Sequence, residues 1–192
     1  HDESSHDHAH ESHGEQDEHV WTSPKNAMRI VQKLCDALCR LDPENADDYQ
    51  ANTASYLASL TSLDEEFSDV TTNASRHTIV FGDRFPFRYL VDDYGLRYYA
   101  AFVGCSAETE AGFETISFLA KRVDEWKLPC VLTIEGAQHK IAETIVRNTT
   151  AKNQRVLTMD SMQSTTSKDV KNGTTYLSVM EKNLSVLKEA LR

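Results

Sequence analysis

Hydrophobic positions follow a helical spacing in the first part of the chain, and strand-like runs alternate with helical spacing in the second part. This order predicts the fold. After Ser23-Pro24, a hydroxyl N-cap followed by proline at the first helical position, apolar residues recur every three or four positions from Lys25 to Leu41. An Asp-Pro pair ends that pattern, and a second helical pattern runs from residue 44 to about residue 70 without proline or glycine. At about 1.5 Å per residue the second helix is about 35 Å or more long, enough to cross a small domain.

From residue 76 onwards, short β-branched runs alternate with amphipathic helical patterns. Such alternation implies a parallel sheet with helices on both faces. We therefore predict an α/β fold, in which a long connecting helix is followed by a four-stranded parallel sheet covered on both faces. The predicted strands are 77–81, 96–103, 130–134 and 155–159, the predicted helices are 85–94, 109–126, 137–150 and 175–191, and a polar loop is predicted at 160–172.

Composition points to a cation as the ligand. The net charge of -10 argues against a nucleic-acid or anionic-membrane partner. Four cysteines include no C-x-x-C pair, so a zinc finger or thioredoxin-type site is not expected. Six of the eight histidines lie in the first 19 residues among aspartates and glutamates, an arrangement typical of metal binding, although a tag remnant or a solvated loop has a similar composition. These histidines are His1, His6, His8, His10, His13 and His19.

Polar residues follow each of the predicted strands. In parallel sheets with helices on both faces, ligands bind beyond the carboxyl ends of the strands. Asp83 follows the first strand, Glu135 the third and Asp160 the fourth, while Cys105 and Glu108 follow the second. Three carboxylates at three strand ends, with imidazoles upstream, form a candidate cation site. The alternative is that Asp83 caps the next helix and that Asp160 belongs to a turn.

Residues 17–24, DEHVWTSP, resemble the D-x-H-x-W-x-[DSN]-P signature of metal-specific substrate-binding proteins of ABC uptake transporters, from the cluster of zinc and manganese binders. In the zinc binders of that family the signature follows a loop rich in histidine and acids, as it does here. Phe87-x-Tyr89 with the Tyr94-Gly95-Leu96 run resembles the helix after the first strand of the family's second lobe. The residues Tyr176, Met180, Asn183 and Leu187 resemble the family's closing helix.

This resemblance implies a two-lobed protein whose lobes are joined by a rigid helix and hold the metal between them. The chain is then expected to be a fragment that lacks most of the first lobe and one ligand from it. The expected organisation is a mobile loop rich in histidine and acids at 1–18, a residual first-lobe segment at 19–42, the linking backbone helix at 43–75 and the second, α/β lobe at 76–192.

The resemblance also implies a ligand set of His19, Asp83, Asp160 and Glu135. His19 and Asp160 match family ligands directly. Arg84 stands where the family has His or Glu, and arginine cannot ligate a cation, so Asp83 is the expected substitute. Glu135 alternatively pairs with an arginine, Arg84 or Arg88, and orients the ligands.

The function implied is extracytoplasmic capture of a divalent metal for delivery to an ABC permease, by a monomer that is periplasmic or lipid-anchored at the outer face of the membrane. Zn²⁺ is favoured by imidazole ligands, and Mn²⁺ is the alternative. In the loop, auxiliary histidines would bind the metal weakly and raise its effective concentration near the main site. These residues are His6, His8, His10 and His13. A metal buffer or a surface adhesin on the same scaffold is a rival. No enzyme is expected, since H-E-x-x-H and G-x-S-x-G motifs are missing.

Overall fold

A helical hairpin leads into a parallel sheet, in the order that the hydrophobic pattern predicts. The structure is a computed structural model of the chain and describes residues 17–102, 111–136 and 139–192. Its helices are α1 (Pro24–Leu41), α2 (Ala46–Thr72), α3 (Arg88–Asp93), α4 (Phe113–Glu125), α5 (Lys140–Asn148), α6 (Ser167–Lys171) and α7 (Tyr176–Ala190), with 3₁₀ turns at Val20–Thr22 and Pro43–Asn45. Its strands are β1 (Thr78–Phe81), β2 (Arg97–Ala100), β3 (Cys130–Ile134) and β4 (Arg155–Met159).

The hairpin begins at the predicted cap. The Ser23 side chain accepts a hydrogen bond from the Asn26 backbone N–H at 3.0 Å, and Pro24 occupies the first helical position. Along α2, the buried side chains are Leu60, Leu63, Phe67 and Thr71. They lie in the second half of the helix, so this half enters the core of the α/β lobe while the first half packs on α1.

One stripe of α1 is exposed. Leu34, Leu38 and Leu41 expose 58%, 43% and 83% of their surface, whereas Ala27 and Cys35 on the same helix are buried. The helical spacing of apolar residues therefore marks two faces of α1, one against α2 and one open to solvent in this chain.

The sheet is parallel throughout and has the strand order β2-β1-β3-β4. Alternate residues of β1 enter opposite cores: Ile79 and Phe81 belong to the core that includes side chains of α2 and α7, and Val80 belongs to the core that includes side chains of α4 and α5. Both faces are thus covered, which explains why the central strands β1 and β3 are buried along their whole length, without alternation. The predicted fold class is confirmed.

The strand order reverses between β1 and β3. The chain moves from β1 to β2 on one side and then crosses back to β3 and β4 on the other side. The carboxyl ends of β1 and β3 consequently flank a topological switch point, the place where open α/β sheets bind ligands. Asp83 lies two residues after the end of β1, and Glu135 follows β3 directly.

Gly82 at the end of β1 is required by packing. A Cβ atom at this position would lie 2.4 Å from the Cα of Ala142 in α5, which no side chain tolerates. The Gly82 N–H donates to the Leu132 carbonyl at 2.8 Å, so the backbone is still hydrogen-bonded to β3 after β1 ends. This close approach sets the position of Asp83.

Two segments differ from the predicted elements. The helix predicted at 85–94 is reduced to α3, because Phe85 and Phe87 are buried in the core and Pro86 disfavours a helical backbone at Phe85, the residue before it. The polar loop predicted at 160–172 contains α6, which begins with a capping box between Thr166 and Asp169. Because α6 buries no residue, its sequence lacks the periodic apolar positions from which a helix is predicted.

Several predicted features lie outside the described residues. They include residue 103 at the end of the second predicted strand, the first residues of the helices predicted from 109 and 137, most of the 1–18 loop, and Cys105 and Glu108. Among the described helices, none combines the length and the apolar character needed to cross a membrane.

Candidate metal centre

Residues 17–23, which we call the strap, carry the D-x-H-x-W motif and lie across the carboxyl-end side of the lobe. Five side-chain hydrogen bonds tie them to it. Two involve Trp21, whose Nε1–H donates to the Ser161 carbonyl at 2.9 Å and whose carbonyl accepts from the Tyr176 hydroxyl at 2.9 Å. The other three join Tyr89 Oη to the Asp17 carbonyl at 2.8 Å, Thr22 Oγ1 to the Pro86 carbonyl at 3.1 Å, and Ser23 Oγ to an Asp93 carboxylate oxygen.

His19 is the most buried ligand candidate of the strap. Only 1% of its surface is exposed, and its ring meets the edge of the Trp21 indole at a centroid distance of 5.5 Å. Its Nδ1 lies 2.7 Å from Asp17 Oδ1, which also accepts from the His19 backbone N–H at 2.8 Å. Because an ionised carboxylate only accepts, the neutral ring carries its proton on Nδ1 and its lone pair on Nε2. This carboxylate–imidazole pair is the arrangement that orients metal-binding histidines.

The strap also contains a compact group of ligand atoms. One ligand atom each from Asp17, Glu18 and His19 lies within 4.8 Å of the others. Among the described residues, this is the one group of three or more such side chains that meets this distance. The four predicted ligands His19, Asp83, Asp160 and Glu135 therefore do not converge to that distance in this conformation.

Asp83 lies at the switch point and is bonded on both oxygens. Its Oδ2 accepts from Thr133 Oγ1 at 2.7 Å and lies 3.5 Å from the Ile134 N–H, while its Oδ1 accepts from the Arg84 backbone N–H at 2.8 Å. Thr133 Oγ1 is in turn 3.2 Å from His139 Nδ1. Since the next helix begins only at residue 88, Asp83 is not its N-cap. It joins the ends of β1 and β3.

Glu135 organises the loop after β4. Its carboxylate accepts from the Ser161 N–H at 2.8 Å, the Ser161 hydroxyl at 2.7 Å and the Gln163 N–H at 3.1 Å. Arg88 pairs with Asp92 on its own helix, at 2.9 Å. Within the described parts of the chain Glu135 thus orients backbone and hydroxyl groups, and no arginine pairs with it.

Asp160 is held by its backbone rather than by its carboxylate. The buried Asn183 side chain accepts from the Asp160 N–H and donates to its carbonyl, both at 2.8 Å. The carboxylate accepts from the Met162 N–H at 2.7 Å. Partial burial raises the pKa of Asp160 above its ordinary value of 3.8, and the negative charge of Glu135 raises it further. A cation beside this carboxylate would relieve both effects.

The strap lies against both sides of the switch point. Its Thr22 contacts the segment that follows Asp83, and its Trp21 contacts Ser161, the residue next to Asp160. The sequence did not identify Ser161 or Asn183 as parts of the site. The one available signal was Asn183 itself, a polar residue among the apolar positions of the closing helix. The auxiliary histidines His6, His8, His10 and His13 lie outside the described residues.

Comparisons with known proteins agree on one family. Residues 1–190 match the model of the family described as ZnuA, zinc-uptake complex component A, periplasmic. The zinc-binding lipoprotein AdcA of Streptococcus pneumoniae is 32% identical over 189 residues, which cover 98% of this chain and 37% of AdcA. The chain thus spans little more than a third of the length of that relative.

Solved structures show the same architecture. The Zn(II)-bound ZnuA-like domain of Streptococcus pneumoniae AdcA superposes with a TM-score of 0.75 at 30% identity, over 94% of this chain and 66% of that one. The laminin-binding protein Lbp of Streptococcus pyogenes superposes with a TM-score of 0.76 at 24% identity, over 92% and 65% respectively. The second likeness concerns the fold alone.

Proposed function

We propose that this chain, which belongs to the ZnuA family of periplasmic zinc-uptake components, captures Zn²⁺ outside the cytoplasm for delivery to an ABC permease. The observation that carries the proposal is the buried His19 ring, which Asp17 orients through Nδ1 within a strap that five hydrogen bonds hold against the lobe. The AdcA relative is named a zinc-binding lipoprotein, which supports the choice of cargo and of compartment.

His19 and Asp160 are the proposed principal ligands. His19 contributes Nε2, and Asp160 contributes a carboxylate whose raised pKa reflects its need for a positive neighbour. Asp83 completes the set from the other side of the switch point. Glu135, whose oxygens accept three hydrogen bonds from residues 161–163, acts as a positioning residue for the loop that bears Asp160.

Zn²⁺ is favoured over Mn²⁺ by the donor set. An imidazole with two carboxylates leaves room for one more ligand in a tetrahedral arrangement, whereas Mn²⁺ prefers more oxygen ligands in an octahedral one. Convergence of the three side chains requires a rearrangement of side chains or backbone when the ion binds, because their ligand atoms do not meet within 4.8 Å in this conformation. We infer that the ion itself supplies the attraction that closes the site.

Titration of the metal-stripped chain with Zn²⁺ tests the proposal. His19→Ala removes a ligand and should weaken the tight phase more than Asp17→Asn, which keeps an acceptor but loses the charge behind Nδ1 and should weaken it by about 10–100-fold. His77→Ala is the matched control, since this exposed histidine lies at the opposite end of the sheet and should leave binding unchanged. Equal affinity of the wild-type and His19→Ala chains would contradict the proposal.

The spaced histidines of the 1–18 loop are proposed to bind additional Zn²⁺ weakly and to raise its local concentration near the strap. Replacing His6, His8, His10 and His13 together by Ala should remove a weak phase from the titration and leave the tight phase intact. Loss of the tight phase instead would place these residues in the principal site.

A further inference from the structure

Two cysteines form a cluster that the proposed function does not use. Cys35 and Cys39 lie one turn apart on α1, and their Sγ atoms are 3.9 Å apart. Cys35 is buried, with 4% of its surface exposed, and Cys39 is half-buried near the turn of the hairpin. Cys35 and Cys39 lie 11 and 15 positions beyond Pro24, so the pair is about 20 Å along α1 from the strap and is independent of His19.

A cavity adjoins the pair. It has a volume of about 220 Å³, lies between α1 and α2, and is lined by Cys35 together with Gln32, Gln50 and Thr53. Cys39 Sγ is 3.7 Å from the Ala46 carbonyl oxygen. Side-chain amides and a threonine hydroxyl thus line the cavity beside Cys35, together with Ala54 and Leu57, and a backbone carbonyl lies beside Cys39. These neutral oxygen atoms are the candidates to complete the coordination of an ion.

The spacing of the sulfurs matches a tetrahedral metal. With Zn–S bonds of about 2.3 Å and a tetrahedral angle, two thiolates on one ion lie about 3.8 Å apart. The observed 3.9 Å needs almost no rearrangement. Two thiolates with a divalent ion are also electrically neutral, which suits a half-buried position better than the net negative charge that a monovalent ion would leave.

We propose that Cys35 and Cys39 form a second metal site, which binds one thiophilic divalent d¹⁰ cation, Zn²⁺ or Cd²⁺, through both sulfurs. Each thiol releases its proton on binding, so one ion displaces two protons. The pKa of the Cys39 thiol is raised above its ordinary value of 9.0, first by burial and then by the neighbouring Cys35. The metal must therefore compete with both protons, and this makes the site weaker than a preformed thiolate pair would be.

Titration with Cd²⁺ tests this site, since thiolate-to-cadmium charge transfer gives an ultraviolet difference band, at shorter wavelength than the aromatic absorption, that histidine and carboxylate ligands do not give. The whole chain is first reduced with a non-thiol reductant and stripped of metal. The band should saturate at one Cd²⁺ per chain. It should be lost in Cys39→Ala, which favours the helix and so keeps the chain folded, and in Cys35→Ala. Circular dichroism confirms that both variants remain helical.

Three variants serve as controls. Cys130→Ala and Cys105→Ser should keep the band, and so should His19→Ala, which separates this site from the proposed zinc-capture site. Absence of the band in the wild-type chain, or its persistence in Cys39→Ala, would overturn the proposal. A band that disappears in Cys105→Ser or Cys130→Ala would overturn it equally, since the ion would then be bound elsewhere.

Discussion

The strap and the carboxylates at the strand ends use the same residue types for different purposes. In the strap, Asp17 places its charge behind an imidazole and the neighbouring side chains hold the segment on the lobe. At the end of β3, Glu135 directs its carboxylate oxygens to the N–H and hydroxyl groups of Ser161 in the loop after β4. The first arrangement prepares a ligand for an ion, and the second shapes the surface on which that ligand lies.

The difference shows that a carboxylate at a strand end is not by itself a metal ligand. Its hydrogen bonds decide how much of its charge remains for an ion. By this measure Glu135 is a structural carboxylate, with three donors around it. Within the described residues the Asp160 carboxylate accepts one hydrogen bond, from the Met162 N–H, and its pKa is raised. It therefore retains more unmet demand for positive charge than Glu135, or than Asp83, which is hydrogen-bonded on both oxygens.

The largest expected effect concerns Glu135. Glu135→Ala leaves the N–H and hydroxyl of Ser161, a residue with no exposed surface, without their acceptor. We expect a loss of about 2–3 kcal/mol in the free energy of unfolding, measured by urea denaturation. Glu143→Ala on the outer face of α5 is the control and should stay within about 0.5 kcal/mol of wild type. A small effect would contradict the structural role of Glu135 and would leave its carboxylate available as a metal ligand.

A smaller effect is expected at Trp21. Trp21→Phe keeps an aromatic ring beside His19 but removes the Nε1–H bond to Ser161, and should cost about 1 kcal/mol beyond the loss of ring area. Trp126→Phe is a matched control, because the buried Nε1 of Trp126 has no hydrogen-bond partner in the described part of the chain. Thermal unfolding of both variants measures the difference. Equal losses would mean that the strap is held without this bond.

The smallest expected effect is the pH dependence at Asp160. Because its folded-state pKa lies above the ordinary value of 3.8, the stability it contributes is present below that value and is lost as pH rises through the folded-state pKa. Asp160→Asn should therefore match wild type in melting temperature near pH 4 and exceed it at pH 7, when both are metal-free. The same variant should bind Zn²⁺ more weakly. A variant that is less stable at pH 7 would show that the charge of Asp160 is already compensated.

Local patterns in the sequence determined most of the fold. The spacing of apolar residues located the hairpin and the four strands, the Ser23-Pro24 pair marked the start of α1, and alternation of strands with helices indicated a parallel sheet. The D-x-H-x-W motif singled out His19. Each of these signals is contained within a few residues, and burial of both sheet faces leaves little freedom in how such elements assemble.

Only the tertiary structure decided how the site is built. The bonds from Trp21 to Ser161 and from Tyr176 to Trp21 join residues 140 and 155 positions apart, and no local pattern encodes such a pairing. The same holds for the three donors around Glu135, which come from the far side of β4. A hydrogen bond is directional and acts over about 3 Å, so its partner is known only once the path of the chain has brought the two groups together.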